Sequence, residues 1–250
     1  MKLKVMTFNL RLAVESDGIN YFFNRTDRVL GVIRDESPDL IGFQEATDEM
    51  REFMRSAIGD TYVLLGCGRK ANYRGEGVCI AYKRELFELV SLDTFWLSDT
   101  PRIAGSRYSS LDQSNCPRTA VFATLSPNGS EEIFTFVNTH LDHKGSQARV
   151  AGMKQIMDEI QKIGGKFLLT GDMNASPSSE AILAATSVEG VTDCTANIET
   201  TFHNYGCRSK CKIDYIFTNG ETLDAYAVAD EPVNGVYISD HYPVCAVVEI

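Results

Sequence analysis

Long apolar runs are missing from this 250-residue chain, and so is any surplus of positive charge. No stretch comes near the roughly 20 apolar residues that a membrane-spanning helix needs, so none is expected. Lys and Arg number 24 against 34 Asp and Glu, a formal net charge of −10. That sign argues against gripping nucleic acid through a broad basic surface, although local basic patches stay compatible with it. An acidic total also suits a carboxylate-rich site that needs a divalent cation before a phosphate approaches. Low-complexity segments, fixed-period repeats and linkers are absent too. The length suits one large core, so residues 1–250 read as a single domain.

Cysteine pairing is another absence. The seven cysteines, at positions 67, 79, 116, 194, 207, 211 and 245, are odd in number and irregularly spaced, which fits reduced thiols. Cys207 and Cys211 with nearby His203 make the one tempting zinc set, but no second Cys pair follows, and loop thiols are the plainer reading. The chain runs straight into a strand pattern at residues 2–8 with no basic-then-apolar leader, pointing to a cytoplasmic protein with no membrane partner. No obligate protein partner is evident.

What is present is an alternation of helical and strand patterns. Residues 24–36 predict a helix stopped by Ser37-Pro38, and residues 47–58 a second with Thr47 as its cap. In 147–163, Val150, Met153, Met157, Ile160 and Ile163 recur at helical spacing until Gly164-Gly165. Strands are expected at 62–66, 78–82, 87–95, 119–125 and 132–138, the last two joined through Asn128-Gly129 as a hairpin. A long polar stretch, 98–117, carries Arg102 and Arg107 and reads as a lid. Strands interleaved with helices suggest an α/β fold, a four-layer sandwich of two mixed β-sheets packed face to face with helices outside.

The strand-like runs deliver chemistry at their ends. Asn9 follows residues 5–8, Gln44-Glu45 follow 40–43, and Asn138-Thr139-His140 follow 133–137. Asp172-Met173-Asn174 follow 167–171, Lys212-Ile213-Asp214 lead into 215–217, and Ser239-Asp240-His241 precede the closing run 244–250. Taken alone, Glu45 reads equally as a hard-cation ligand or as an acid at a helix start. Asp172 and Asn174 read as a pair aimed into one cleft or as an Asx-rich turn before a helix near Ser178. Asp214 is placed to fix the tautomer of His241. A Ser-His-Asp hydrolase is the rival, but Ser239 adjoins His241 too closely and no Gly-x-Ser-x-Gly elbow exists. His140 suits an acid or a phosphate ligand, since no His-Glu-x-x-His accompanies it. Asp142 and His143 read as rim residues.

In this order Thr7-Phe8-Asn9, Gln44-Glu45, Asn138-Thr139-His140, Gly171-Asp172-Met173-Asn174, Ile213-Asp214-Tyr215 and Ser239-Asp240-His241 resemble the endonuclease/exonuclease/phosphatase superfamily. The resemblance implies Glu45 as principal Mg²⁺ ligand, with Mn²⁺ as a substitute, and Asn9 and Asp240 near the metal or its water shell. It implies Asp172 and Asn174 for the attacking water, His241 oriented by Asp214 beside the scissile phosphate, and His140 on the phosphate. Glu76 is implied as a partner of His140, and Arg118 as a phosphate contact. Position 11 is Arg where some nucleases of the superfamily carry Asp, so a metal role there is lost. Residues 95–101, 116–118 and 145–149 resemble bacterial members near the deadenylase branch.

The expected activity is Mg²⁺-dependent phosphoester hydrolysis, foremost a phosphodiesterase or nuclease cleaving P–O bonds by in-line attack of water. The substrate is a nucleic acid, a nucleotide or a small phosphorylated metabolite. The alternatives are a phosphomonoesterase on a phosphorylated sugar or similar metabolite, and an inactive binding module retaining the fold. The identity of the base, His241 or Asp172, stays open at this level.

Overall fold

The computed structural model describes residues 1–208, 211–229 and 231–250. One sheet holds β1 (Lys2–Asn9), β2 (Leu40–Ala46), β3 (Tyr62–Gly66), β4 (Gly77–Lys83), β11 (Glu221–Ala227) and β12 (Val244–Glu249), in the order β11-β12-β1-β2-β4-β3. The other holds β5 (Phe87–Trp96), β6 (Thr119–Pro127), β7 (Phe134–His140), β8 (Lys166–Asp172), β9 (Thr192–Asp193) and β10 (Asp214–Thr218), in the order β5-β6-β7-β8-β10-β9. Both are mixed: β1 and β2 pair in parallel, as do β7 and β8, and every other pairing is antiparallel. Helix α1 (Thr26–Glu36) lies between β1 and β2, and α3 (Ser146–Ile163) between β7 and β8, as parallel neighbours require.

Period-2 alternation along the strands produces the four layers. On β1, Val5 faces the opposite sheet while Met6 and Phe8 face α1 and α2 (Asp48–Ile58). Val137 and Leu169 face α3 and α4 (Glu180–Thr186), whereas Phe136 and Leu168 fill the space between the sheets. The stripe of Met153, Met157 and Ile160 on α3 is buried there, as its spacing predicts. The helix ends also follow the expected chemistry: Thr47 accepts from the Met50 N–H, and Ser37 caps α1 in a left-handed conformation.

Three elements differ from expectation. Strand β7 begins and ends two residues later than predicted, so Asn138, Thr139 and His140 belong to the strand itself. Strand β11 was not anticipated, because it is a half-exposed edge with no clean alternation. The 98–117 stretch is a fastened wall instead of a lid. Asp99 accepts from the Ser109 N–H and hydroxyl, Tyr108 donates to Gln155, and Ser114 donates to buried Asp142. Asp112 accepts from the Gln147 and Ala148 N–H groups at the start of α3, occupying that helix end. Asp142 is therefore an anchor and not a rim residue, while His143 is exposed. Arg102 pairs with Asp93, and Arg107 donates to the Ser114 carbonyl.

Beneath the ends of β1, β2, β7 and β8 a polar seam joins the sheets. Gln44 Nε2 donates to Asn138 Oδ1 (2.8 Å) and Thr7 Oγ1 (3.0 Å). Asn138 Nδ2 donates to the carbonyls of Phe43 and Cys79, and the Thr170 hydroxyl reaches Asn138 Oδ1 at 3.1 Å. Gly42 leaves the room: a Cβ there would stand 2.6 Å from Asn138 Oδ1 and still closer to Thr170 Oγ1. Gly42→Ala should lower unfolding free energy by about 2 kcal/mol or more through overpacking, measured by urea denaturation; an unchanged midpoint would show that the seam relaxes freely.

Candidate active site

The strand ends meet at one edge of the sandwich, where crossover connections leave a crevice. The cleft there is about 350 Å³ and is lined by Glu45, Glu76, Arg118, His140, Asp172, Asn174, Asp240 and His241 among others. Asn9 and Asp214 lie buried and hydrogen-bonded directly to these residues. All the residues expected at the site are thus brought together.

Local backbone strain aims several of them. Strand alternation would send Gln44 and Glu45 to opposite faces of β2. The pairing of β2 with β4 shifts register between Phe43 and Ala46, and Glu45 adopts φ +61°. A bulge with a left-handed residue re-aims a side chain, so Glu45 reaches the cleft although Gln44 stays in the seam. Arg11 (φ +54°) and Asn174 (φ +47°) are held similarly.

Asp172 is the hub. Its Oδ2 accepts from Asn9 Nδ2 (3.0 Å) and lies 3.5 Å from His140 Nε2 and 3.8 Å from His241 Nε2. Its Oδ1 accepts from the Asn174 N–H at 2.9 Å. Burial, reinforced by the nearby Asp214 charge, pushes this carboxyl up to about 7. His241 Nδ1 sits 2.8 Å from Asp214 Oδ2. Burial alone would lower this imidazole, but the charges of Asp214, Asp240 and Asp172 prevail and raise it to about 10. His140 moves the other way: burial and the Arg118 and Arg69 charges hold it well below its ordinary value, as a neutral ring. An imidazolium beside a carboxylate of near-neutral affinity separates the acid and base roles.

One expected contact is looser than predicted, while Arg118, expected on the phosphate, lines the cleft. Glu76 Oε1 is 3.9 Å from His140 Nδ1, which has no hydrogen-bond partner, while Glu76 Oε2 accepts from Arg69 at 2.6 Å. Arg118 bonds His143 Nδ1 at 3.0 Å and stands 3.8 Å from Glu76. Ser239 donates to the Asn9 carbonyl at 2.7 Å and makes no contact with the His241 ring nitrogens, so the Ser-His-Asp rival falls. Cys207 and Cys211 are free thiols belonging to none of the metal-type clusters among the described residues, and Ser209 and Lys210 between them lie outside those residues.

Other residues escaped the sequence reading. Arg69, Cys116 and Phe202 line the cleft, with the Phe202 ring 4.8 Å from that of His241. Nothing in their spacing marks them, because they come from loops. Arg25 is fully buried, and no carboxylate among the described residues forms an ion pair with it. It donates to the carbonyls of Asn20 (2.9 Å), Leu10 (2.6 Å), Arg11 (2.9 Å) and Ile238. It therefore ties the turn after β1 to the loop carrying Ser239, Asp240 and His241.

Ligand atoms of Glu45, His140 and Asp172 converge within 4.8 Å, as do those of Asp172, Asp214 and His241. Asp240 joins neither set. Asn9 turns its Oδ1 to the Arg11 N–H and its Nδ2 to Glu45 and Asp172, bridging the two carboxylates.

The pattern of the endonuclease/exonuclease/phosphatase family matches residues 6–241. The chain belongs to this family. Its members are phosphoester hydrolases, and so is this chain; the family's enzymes depend on a divalent metal. The solved endonuclease/exonuclease/phosphatase of Bacteroides vulgatus is 30% identical, with a TM-score of 0.91 over 100% of this chain and 99% of that one. A mannosyl-6-phosphatase of Bacteroides thetaiotaomicron is 24% identical at TM-score 0.88, covering 99% of this chain and 100% of that one. D. rerio TDP2 complexed with a single-strand DNA product is 16% identical at TM-score 0.76, covering 100% and 99%. The last two likenesses speak to the fold alone. The match to a curated relative, from Acanthamoeba polyphaga mimivirus, spans 60% of this chain and 58% of that protein. Among the described residues no helix is long and apolar enough to cross a membrane.

Arg25→Met should lower unfolding free energy by about 3 kcal/mol or more, because buried carbonyls lose their donor. Urea denaturation reads it; a shift below about 1 kcal/mol would mean that water takes over the bonds.

Proposed function

We propose that the chain is a Mg²⁺-dependent hydrolase of small phosphorylated metabolites, using in-line attack of water. The supporting observation is the opposed pair at the cleft floor, Asp172 pushed up and His241 held charged, 3.8 Å apart. A cleft of about 350 Å³ in a chain of net charge −10 suits a compact ligand better than a polynucleotide.

The donor set fits a hard divalent cation. Glu45 and Asp172 direct carboxylates at one point with the neutral His140 ring beside them, and oxygen-rich sets of this kind select Mg²⁺ or Mn²⁺. Glu45 would hold the ion, with Asp172 and Asn9 around it. When bound, the ion neutralises the phosphoryl oxygens. The chain's own residues do the rest. Asp172 Oδ2 takes the proton of the attacking water, while Asn174 fixes the other carboxylate oxygen through its N–H. The ester P–O bond on the opposite side breaks as the new one forms, and the departing alkoxide takes a proton from solvent. His241, charged and locked by Asp214, presents its Nε2 proton to a phosphoryl oxygen as negative charge develops. His140, neutral, offers a hydrogen bond to a second oxygen.

Glu45→Gln should abolish metal-dependent turnover without moving the melting temperature of the metal-free protein. Retained Mg²⁺-dependent hydrolysis would remove Glu45 from the site. His241→Ala and Asp214→Ala should each cut kcat severely, with the double variant little worse than the poorer single one, because the two act as a unit. Additive losses would show that Asp214 works independently of the imidazole.

A further inference from the structure

An unbroken series of alternating charges runs along the cleft wall. The Tyr205 hydroxyl donates to Asp17 Oδ2 at 2.9 Å. Asp17 binds Arg11 through both oxygens, to Nε at 2.8 Å and Nη2 at 3.0 Å. Arg11 Nε lies 3.9 Å from Asp240 Oδ2, Asp240 Oδ1 lies 3.9 Å from His241 Nε2, and His241 bonds Asp214. The bidentate clamp leaves the Arg11 guanidinium little rotational freedom, and the left-handed backbone at Arg11 commits its direction. Its Nη1 makes no hydrogen bond to the described residues, and the side chain, 29% exposed, lines the same cleft as Glu45, Asn174 and His241. A fixed guanidinium with a spare N–H edge on a phosphoester cleft is a receptor for an anionic oxygen.

The oxygens of the substrate then decide the class. A phosphodiester is a monoanion with two non-bridging oxygens, whereas a phosphomonoester near neutral pH is largely a dianion with three. His140 and His241 account for two oxygens in the arrangement above. A third, carrying the second negative charge, suits a guanidinium, which stays charged at any working pH. We infer that Arg11, held by Asp17 and Tyr205, is the specificity-determining residue that commits this site to the terminal phosphoryl group of phosphomonoesters over diesters. This rests on the reading of the cleft as a phosphoester hydrolase. It takes up the phosphomonoesterase alternative in place of the leading expectation of a diesterase, and it gives the Arg at position 11 a role on substrate in place of the lost metal role.

The test compares wild type, Arg11→Met and Arg11→Lys, with Mg²⁺, on p-nitrophenyl phosphate and bis(p-nitrophenyl) phosphate. Wild type should prefer the monoester. Arg11→Met should lose roughly 10- to 100-fold in kcat/KM on the monoester, the value of a charge-assisted hydrogen bond, and distinctly less on the diester, so the selectivity ratio collapses. Arg11→Lys should recover part of the ratio. A readout independent of turnover is inorganic phosphate: with Mg²⁺ it should raise the melting temperature of wild type and do so less in Arg11→Met. Should that variant fold poorly, Tyr205→Phe, which loosens the clamp, should lower the ratio in the same direction. An equal loss on both substrates with unchanged phosphate stabilisation would overturn the role of Arg11 alone. A wild type that prefers the diester would overturn the monoester assignment. A wild type inactive on both, with or without metal, would overturn the hydrolase reading beneath it.

Discussion

The seam of Gln44, Asn138, Thr7 and Thr170 is the constraint on which the site depends. Two β-sheets packed through apolar side chains alone can slide, because hydrophobic burial is non-directional. Hydrogen bonds are directional, and a buried amide that loses its partner is costly. By donating from Gln44 to Asn138 and from Asn138 to the backbone of β2 and β4, the seam fixes one sheet against the other. It lies directly under the four strand ends that carry Asn9, Glu45, His140 and Asp172. Glu45 comes from one sheet and Asp172 from the other, so their separation is as well defined as that packing.

Above the seam, the charges around the cleft are set against opposite neighbours. Asp214 answers His241, and Arg69 answers Glu76. Glu45 and Asp172 have only the neutral amide of Asn9 between them. Burial, with the Asp214 charge behind it, raises the affinity of Asp172 for a proton, and two carboxylates converging so closely would suit a divalent ion. Arg25 completes the frame from behind, holding the backbones of both loops that flank this gap.

Much of this architecture was legible in the sequence. Helical spacing located α3, Ser37-Pro38 the end of α1, and alternation the strands that became the inner faces, because burial on one side leaves a period in the residues. The site residues were legible because strand ends are where the chain must leave the core, and polar clusters there are conspicuous against apolar runs. What escaped had no such signature. The edge strand β11 is buried at no position and shows no clean alternation. The wall at 98–117 looked mobile because its fastening comes from side chains, Asp99 to Ser109 within the stretch, Asp112 to the start of α3, and Ser114 to the distant Asp142. Arg25 lay unremarked inside the helix expected at 24–36, because nothing in its type or spacing announces burial. The bulge that turns Glu45 is a backbone property that residue types do not announce.

The two halves of the molecule share one wiring pattern, which no sequence period reveals. In each, a parallel pair with a crossover helix places two strand ends side by side, Asn9 opposite Gln44 and His140 opposite Asp172. Each half then supplies one converging carboxylate, Glu45 from the first and Asp172 from the second. A metal held between them would bridge the halves, so any motion that opens the sandwich would separate its ligands. The seam resists that motion, and metal binding in turn would resist opening of the seam. Core packing and catalytic geometry are therefore coupled through the same few ångströms, and the substrate-facing walls, fastened elsewhere by Asp17, Asp112 and Asp142, are free to differ without disturbing either.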